Sequence, residues 1–546
     1  MEPPHMPNGS AALPPVVAAD AGAEMEARIA AMCTEWMHSA EEQPVVRLSS
    51  PDELERAFTQ AGCAMHVRDA DAPLDEAGVV EACRLALHYS VRSCSPYFFN
   101  QLYSRAEPAS VVAEWVRAPL MPRACHDVVC VPWWVDEPQT LRVQVITAIN
   151  GNAYTYEVAP VLTLIERHVL ARLARLIGPN FEECHDGLMV PGGSFGNMYA
   201  MHLARHRAFP QLHVDGLAGG PRLVAFVSAE AHYSYLKSAR LLGIGSANLI
   251  SVPIGDDGGM CPDSLERAVQ AALDAGGTPF FIGATAATTV RGSFDPFRAL
   301  AAVADRHKLW LHVDGAWGGA ALLSPTHRSD LDGADLADSF SWSAHKMLGA
   351  ALTTSVFLTR RAGALRAANA TNAAYLFQPD KLYTELDVGD KTIQCGRKAD
   401  MFKLWLLFKI LGAEGCAASV DRCYALAAHL ASRIRTSDGA LALAYPTSCT
   451  NVCFWYVPTS MRPLPAELTV DHPVHRVAPK IKAALQRAGK TMIGFQSING
   501  LPNFFRWVFS SAANVSTGHV DDVLAAIADY GEKAALEIAK EVAGAK

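Results

Sequence analysis

A chain of 546 residues, half of them hydrophobic and under one-fifth charged, has the material for two or three domains and a large buried core. Its net charge of −8 comes without a basic stripe, which argues against a nucleic-acid partner. Thirteen cysteines, an odd number spread thinly, argue for free thiols in a reducing compartment rather than a disulfide framework.

Residues 1–22 are rich in Pro and Ala and predict a disordered tail. The opening Met1-Glu2-Pro3-Pro4-His5 has no basic region leading into an apolar run, so no secretory signal is expected. An N-terminal region follows over 23–148, helical to about 45 and mixed beyond. Inside it, 119–140 is rich in Pro, Trp and Cys and reads as an inserted surface loop. Cys125 and Cys130 flank His126 only loosely, and no second ligand pair stands at zinc-like spacing, so no metal site is assigned.

From about 149 to 414 strands and helices alternate. Residues 156–177 carry apolar side chains at helical spacing and stop at Gly178. Short buried strands are expected at 223–227, 280–284 and 309–313. Asp263 with Glu266 suggests a capping box, and Asp295-Pro296 a cap and first-turn proline ahead of a helix at 297–304. Such alternation predicts an α/β fold with a mostly parallel central sheet. Residues 415–546 predict a smaller α+β C-terminal domain with strands at 452–457 and 504–509. The longest uncharged stretch, 439–461, holds Pro446, Asn451 and Pro458, and reads as a turn plus a buried strand rather than a membrane span. The expectation is a soluble cytoplasmic protein with no membrane association.

Four features carry chemistry. Pro191-Gly192-Gly193-Ser194-Phe195-Gly196-Asn197 precedes a helical run, as an anion-binding turn would; a plain tight turn has the same look. His232 follows the strand at 223–227, at the sheet edge where α/β folds bind ligands, where an imidazole can stack on a ring; a structural histidine would fit equally. Asp314, in His312-Val313-Asp314-Gly315-Ala316, ends a strand and is either a helix cap or a buried carboxylate needing a cationic partner. Lys346, 32 residues later in Ser341-Trp342-Ser343-Ala344-His345-Lys346, is either a surface residue or a buried amine. A lysine amine and a carboxylate so placed are what an enzyme of pyridoxal 5'-phosphate (PLP) needs: one captures the aldehyde, the other keeps the pyridine nitrogen protonated.

With these motifs in one order, the chain resembles the group II PLP-dependent amino-acid decarboxylases, nearest the glutamate and cysteine sulfinate branch that acts on acidic amino acids. The likeness spans roughly residues 85–535. It also rests on Ser95-Pro96-Tyr97-Phe98-Phe99-Asn100-Gln101-Leu102, Tyr154-Thr155-Tyr156-Glu157, Tyr375-Leu376-Phe377-Gln378-Pro379, Gly389-Asp390-Lys391 with Gly396-Arg397, Asn451-Val452-Cys453-Phe454-Trp455, and Asn503-Phe504-Phe505-Arg506. It implies an aspartate-aminotransferase-type fold and a homodimer with active sites at the subunit interface. It implies that Lys346 carries the cofactor covalently, Asp314 pairs with its pyridinium and His232 stacks on its face. Gly193, Ser194, Phe195, Gly196 and Asn197, with His345, would lie near the phosphate, with Thr285 and Ala316 as further cofactor contacts. Arg506 would bind the substrate carboxylate, and Tyr375, in a mobile loop, would protonate the carbanion left by CO2. The chain departs from the family pattern at Ser343-Ala344 (usually Asn-Pro), Ala287 and Gly196 (usually Gly and Ser), and Gly315 (usually Ala).

The resemblance also frames the substrate. Gln101, Tyr103, Asn152 and Tyr154 would line its pocket. Tyr103 and Tyr154 follow the sulfinate pattern, and Asn152 the glutamate one. The expectation leans to cysteine sulfinate, cysteate or aspartate, giving hypotaurine, taurine or β-alanine, with glutamate and its product GABA as the alternative. An aminotransferase or a non-catalytic binding protein on the same fold is less favoured.

Overall fold

The computed structural model describes residues 19–47, 49–64, 74–92, 94–99, 152–183, 185–373, 377, 380, 383–510 and 515–544. The expected inserted loop at 119–140, with Cys125, His126 and Cys130, lies outside them, as does most of the expected tail. The first helix, Ala19–His38, starts within the last residues of that tail.

The described strands are β1 (Phe98–Phe99), β2 (Asp186–Val190), β3 (Leu223–Ser228), β4 (Leu249–Val252), β5 (Thr278–Thr285), β6 (Trp310–Gly315), β7 (Ser339–Ser343), β8 (Ser355–Thr359), β9 (Leu441–Leu443), β10 (Asn451–Tyr456), β11 (Met492–Gln496) and β12 (Phe504–Val508). Seven of them form the central sheet in the order β2-β8-β7-β6-β5-β3-β4. Only β8 runs against its neighbours. The fold is α/β with a mostly parallel sheet, and the strands expected at 223–227, 280–284 and 309–313 are three of its five inner members, β3, β5 and β6.

Alternation along each strand divides the buried side chains between two faces. Met189, Phe226, Ile282, Leu311, Val313, Phe340 and Val356 face the helices Pro160–Ile177, Phe297–His307 and Asp400–Arg435. Leu188, Ala225, Phe281, Trp310 and Phe357 face the helix Gly193–Ala208. That second face turns polar toward the strand ends, with His312 and Asp314 on β6 beside Ser339, Ser341 and Ser343 on β7, all buried. The site stands there.

A second sheet, β1-β11-β12-β10-β9, carries the C-terminal residues. β1 comes from the N-terminal region and pairs with β11 in parallel. The stretch Asp400–Arg435 is two helices that meet at Gly412, whose φ 65° and ψ −168° leave helical geometry close to the 414/415 boundary expected between domains. Two expected caps are corrected. The helix Pro262–Asp274 starts after Cys261 without a side-chain cap, and Glu266 is engaged by Arg306 and His307. Asp295 does not cap the helix Phe297–His307; its carboxylate accepts from the backbone N–H groups of Met260 (2.6 Å) and Thr285 (2.7 Å). No described helix is long and apolar enough to cross a membrane. Every described cysteine is a free thiol.

Candidate active site

The parallel register brings the chemistry-bearing residues to one edge. Thr285 at the end of β5 pairs with Asp314 on β6, and Asp314 with Ser341 on β7. Lys346 lies in the turn just past β7, its N–H on the carbonyl of Ser343 at 3.1 Å. His232 lies just past β3, its Nδ1 2.9 Å from the Ser234 hydroxyl. The charges of these groups reach one another. Burial lowers the Lys346 amine below its ordinary range, and the Asp314 carboxylate partly restores it. Burial also lowers His232, with Asp314 working upward and Lys346 downward. A lowered amine supplies its neutral, nucleophilic form more readily at neutral pH.

Asp314 is held from two sides, by the Ala316 N–H (3.0 Å to Oδ1) and the Asn197 amide (2.7 Å to Oδ2). A carboxylate offers about four acceptor sites, so room remains for a pyridinium N–H. Beside it the Thr285 hydroxyl is buried and finds no hydrogen-bond partner among the described residues. That orphaned oxygen awaits a polar ligand atom.

Gly192 adopts φ 117°, ψ 158° and opens the helix Gly193–Ala208, whose first N–H groups have no intrahelical acceptor. Gly193 sits against Ala316 and Ser343, closely enough that a Cβ would lie 2.9 Å from the Ala316 methyl. Ser194 and Phe195 are exposed and Gly196 is buried against Ser341. The imidazole of His345 packs on Thr354, with Nδ1 2.9 Å from its carbonyl, and burial lowers its pKa to about 4. The Ser343 hydroxyl, where the family pattern has Asn, bonds Ser355 at 2.8 Å. A dianionic phosphate fits this turn of free N–H groups.

The second sheet adds Arg506 from β12. Its guanidinium donates to the Thr289 carbonyl at 3.2 Å, and burial lowers its pKa. Asn152 and Tyr154 are half-buried. The Asn152 Oδ1 accepts the Arg397 N–H at 2.8 Å, and the Tyr154 carbonyl accepts the N–H groups of Val388 and Gly389. Gln101, Tyr103 and Tyr375 lie outside the described residues. Sequence reasoning set Asn197 near the phosphate and missed its bond to Asp314, and it missed Ser234 and His312. The available signal was alternation: Trp310, His312 and Asp314 are two apart on one strand and share a face.

These features suit PLP, and the chain's relatives agree. A family model described as the pyridoxal-dependent decarboxylase conserved domain matches residues 140–457. The chain belongs to that family. As a pyridoxal-dependent decarboxylase it is a carboxy-lyase acting on an amino acid, with PLP as cofactor. Among its relatives is the acidic amino acid decarboxylase GADL1 of Bos taurus, 40% identical over 463 residues, 84% of this chain and 81% of that one. Cysteine sulfinic acid decarboxylase of Rattus norvegicus is 40% identical over 436 residues, 79% of this chain and 82% of that one. The crystal structure of mouse CSAD superposes with a TM-score of 0.84 at 34% identity, covering 94% of this chain and all of that one. A PLP and tryptamine complex of Oryza sativa TDC, at 22% identity and TM-score 0.79, shares the fold.

Proposed function

We propose that this decarboxylase removes the α-carboxylate of a small acidic L-amino acid, with cysteine sulfinate, cysteate and aspartate preferred over glutamate. The observation that carries the reading is the buried Lys346 amine within electrostatic reach of the buried Asp314, in a chain 40% identical to two decarboxylases named for acidic substrates. PLP, when bound, supplies a protonated ring that draws electrons from the breaking Cα–carboxylate bond. Asp314 would hold the ring nitrogen's proton through a charge-assisted hydrogen bond, and His232 would cover one face. Arg506 grips the substrate carboxylate from the second sheet and orients the bond to be broken. Tyr375 delivers the proton to Cα, and Lys346 releases the amine. Asn152, which follows the glutamate pattern, has its Oδ1 engaged by Arg397, so the lean to shorter acids rests on Tyr103 and Tyr154. One methylene in a pocket changes specificity by about 1–3 kcal/mol, so a preference is expected rather than exclusion.

The protein is further proposed to act in the cytoplasm as a homodimer with active sites at the subunit interface. The exposed apolar side chains Val158, Val161 and Leu164 support a second copy as the covering partner. Rates of CO2 release from the four acids decide the substrate: glutamate turned over fastest would overturn the preference. Borohydride reduction of the holoprotein should place the cofactor on Lys346 by mass spectrometry, and Lys346→Ala should lose both adduct and activity. Light scattering that finds a monomer would remove the interface.

A further inference from the structure

Asn197 is 1% exposed and its amide is saturated by four neighbours. Its Nδ2 donates to Asp314 Oδ2 at 2.7 Å and to the Ser234 hydroxyl at 2.9 Å. Its Oδ1 lies 3.0 Å from His312 Nε2 and 3.2 Å from the Ser341 hydroxyl. Beyond His312, Nδ1 is 2.8 Å from the Ser339 hydroxyl, which also receives the Trp310 indole N–H at 2.8 Å.

The donors and acceptors here can be ordered from fixed ends. An ionised Asp314 only accepts, so Asn197 must turn its nitrogen toward it and its oxygen toward His312. Nε2 of His312 therefore carries the hydrogen. Burial lowers this imidazole to about 4, so it is neutral at pH 7 and its Nδ1 accepts. The indole N–H of Trp310 only donates, which leaves the Ser339 hydrogen free to point at His312 Nδ1. On the other branch, Ser234 takes a hydrogen bond from Asn197, and its own O–H points to His232 Nδ1. The Ser234 backbone N–H faces the same nitrogen at 3.3 Å. His232 Nδ1 is thus an acceptor and its Nε2 bears the hydrogen.

We infer that Asn197 is a positioning residue: one amide, aimed by the relay Trp310–Ser339–His312, fixes the orientation of the Asp314 carboxylate and sets the His232 tautomer. The inference rests on the proposed placement of the cofactor ring between Asp314 and His232. It extends that placement to side chains that touch neither cofactor nor substrate, and it couples the two ring contacts through a single group. Its physical content is directional. The relay delivers N–H hydrogens to Asp314 and Ser234 at once, which no acceptor-only side chain can do.

The test is PLP affinity of the apoprotein, read by fluorescence quenching at pH 6 and pH 8, with the melting temperature of each apoprotein alongside. Asn197→Asp keeps the shape and replaces the donor with a carboxyl group facing Asp314. At pH 8 the two carboxylates repel and affinity falls by about tenfold or more; at pH 6 a shared proton restores part of it. Wild type shows no such added pH dependence. His312→Gln, whose amide N–H can replace Nε2–H, keeps affinity near wild type, and His312→Leu loses it. A fall of equal size at both pH values, tracking a lowered melting temperature, would mean a merely structural role and overturns the inference. Asp314→Asn separates the two levels. Unchanged affinity there overturns the ring placement and the relay with it, whereas lost affinity there with wild-type behaviour in Asn197→Asp overturns the relay alone.

Discussion

Gly315 stands where the family pattern has alanine, and the reason lies one strand away. A Cβ at Gly315 would come 2.4 Å from the Phe340 ring and 2.9 Å from the Ser341 carbonyl. Phe340 is buried on β7 and its ring fills the space the methyl would need. Gly196 has the same relation to Ser341, whose Cβ would lie 2.7 Å from an added one. Gly196 thus allows close packing of the helix Gly193–Ala208 on β7 beside Asn197, while Gly315 leaves room for the Phe340 ring on the opposite face of the sheet. Gly315→Ala, although it restores the common residue, should destabilise by roughly 1–3 kcal/mol through overpacking. Urea unfolding measures this, and Phe340→Leu in the same chain should recover most of the loss; an unaffected single variant would show that the ring has room to move. At this scale Lys346, Asp314 and His232 were each ambiguous alone, and only their joint order and the resemblance made them candidates, which the structure brings to one sheet edge. What Asn197 and His312 do was not legible. Their roles arise from meeting across a helix and a strand over 100 residues apart in sequence, and locally each is only a polar residue inside a regular element.

Among elements, the segment between β5 and the helix Phe297–His307 joins the two sheets. The Asn451 amide donates to the carbonyls of Thr289 (3.3 Å) and Val290 (3.0 Å), and its oxygen accepts the Trp317 indole N–H (2.9 Å). Ser448 and Cys453 add bonds to Gly292 and Val290. Arg506 hangs from the same Thr289 carbonyl. Arg506, proposed above to bind the substrate carboxylate, is therefore located by a loop of the large sheet as much as by its own strand. Asn451→Ala removes three bonds and leaves a buried indole N–H without a partner, a loss of about 2–4 kcal/mol. It should raise KM while PLP affinity holds, because Asp314 and the Gly193 turn lie away from this contact. A KM at the wild-type value in a measurably destabilised variant would detach Arg506 from the loop. Little of this was readable in the sequence. The helices and inner strands announce themselves by periodicity, but a loop's hydrogen bonds depend on what docks against it. Asp295 shows the same limit: Asp-Pro ahead of a helix is a sound cap signal, and here tertiary contact takes the carboxylate to Met260 and Thr285 instead.

For the molecule as a whole, the central sheet followed from alternation, whereas the tie between its first and last parts did not. β1 reaches across from the N-terminal region to β11, a pairing that carries no local mark. The same burial that builds this core sets its response to acid. His202, His312 and His345 are each lowered by burial to about 4, against about 6.5 in the unfolded chain. Between those values the unfolded chain binds three protons that the folded one refuses, so stability rises with pH through this window. Asp295 opposes them. Burial raises it to about 7, so across the same range the folded state holds a proton the unfolded carboxyl has lost. Burial raises Asp400 in the same direction. Three imidazoles outweigh these carboxyls, so stability should climb from pH 4 to 6.5, be fully present above it, and level off near pH 7, where Asp295 ionises and the imidazoles no longer contribute. His312, with no exposed surface, accounts for up to about 3 kcal/mol of the rise. Urea unfolding of the apoprotein at pH 5 and pH 7.5 should therefore differ less in His312→Gln than in wild type, by more than a third of the wild-type difference because Asp295 offsets part of what the three imidazoles contribute. An equal difference in the two proteins would mean that His312 is protonated in the fold, and the neutral Nε2–H form that aims Asn197 would go with it.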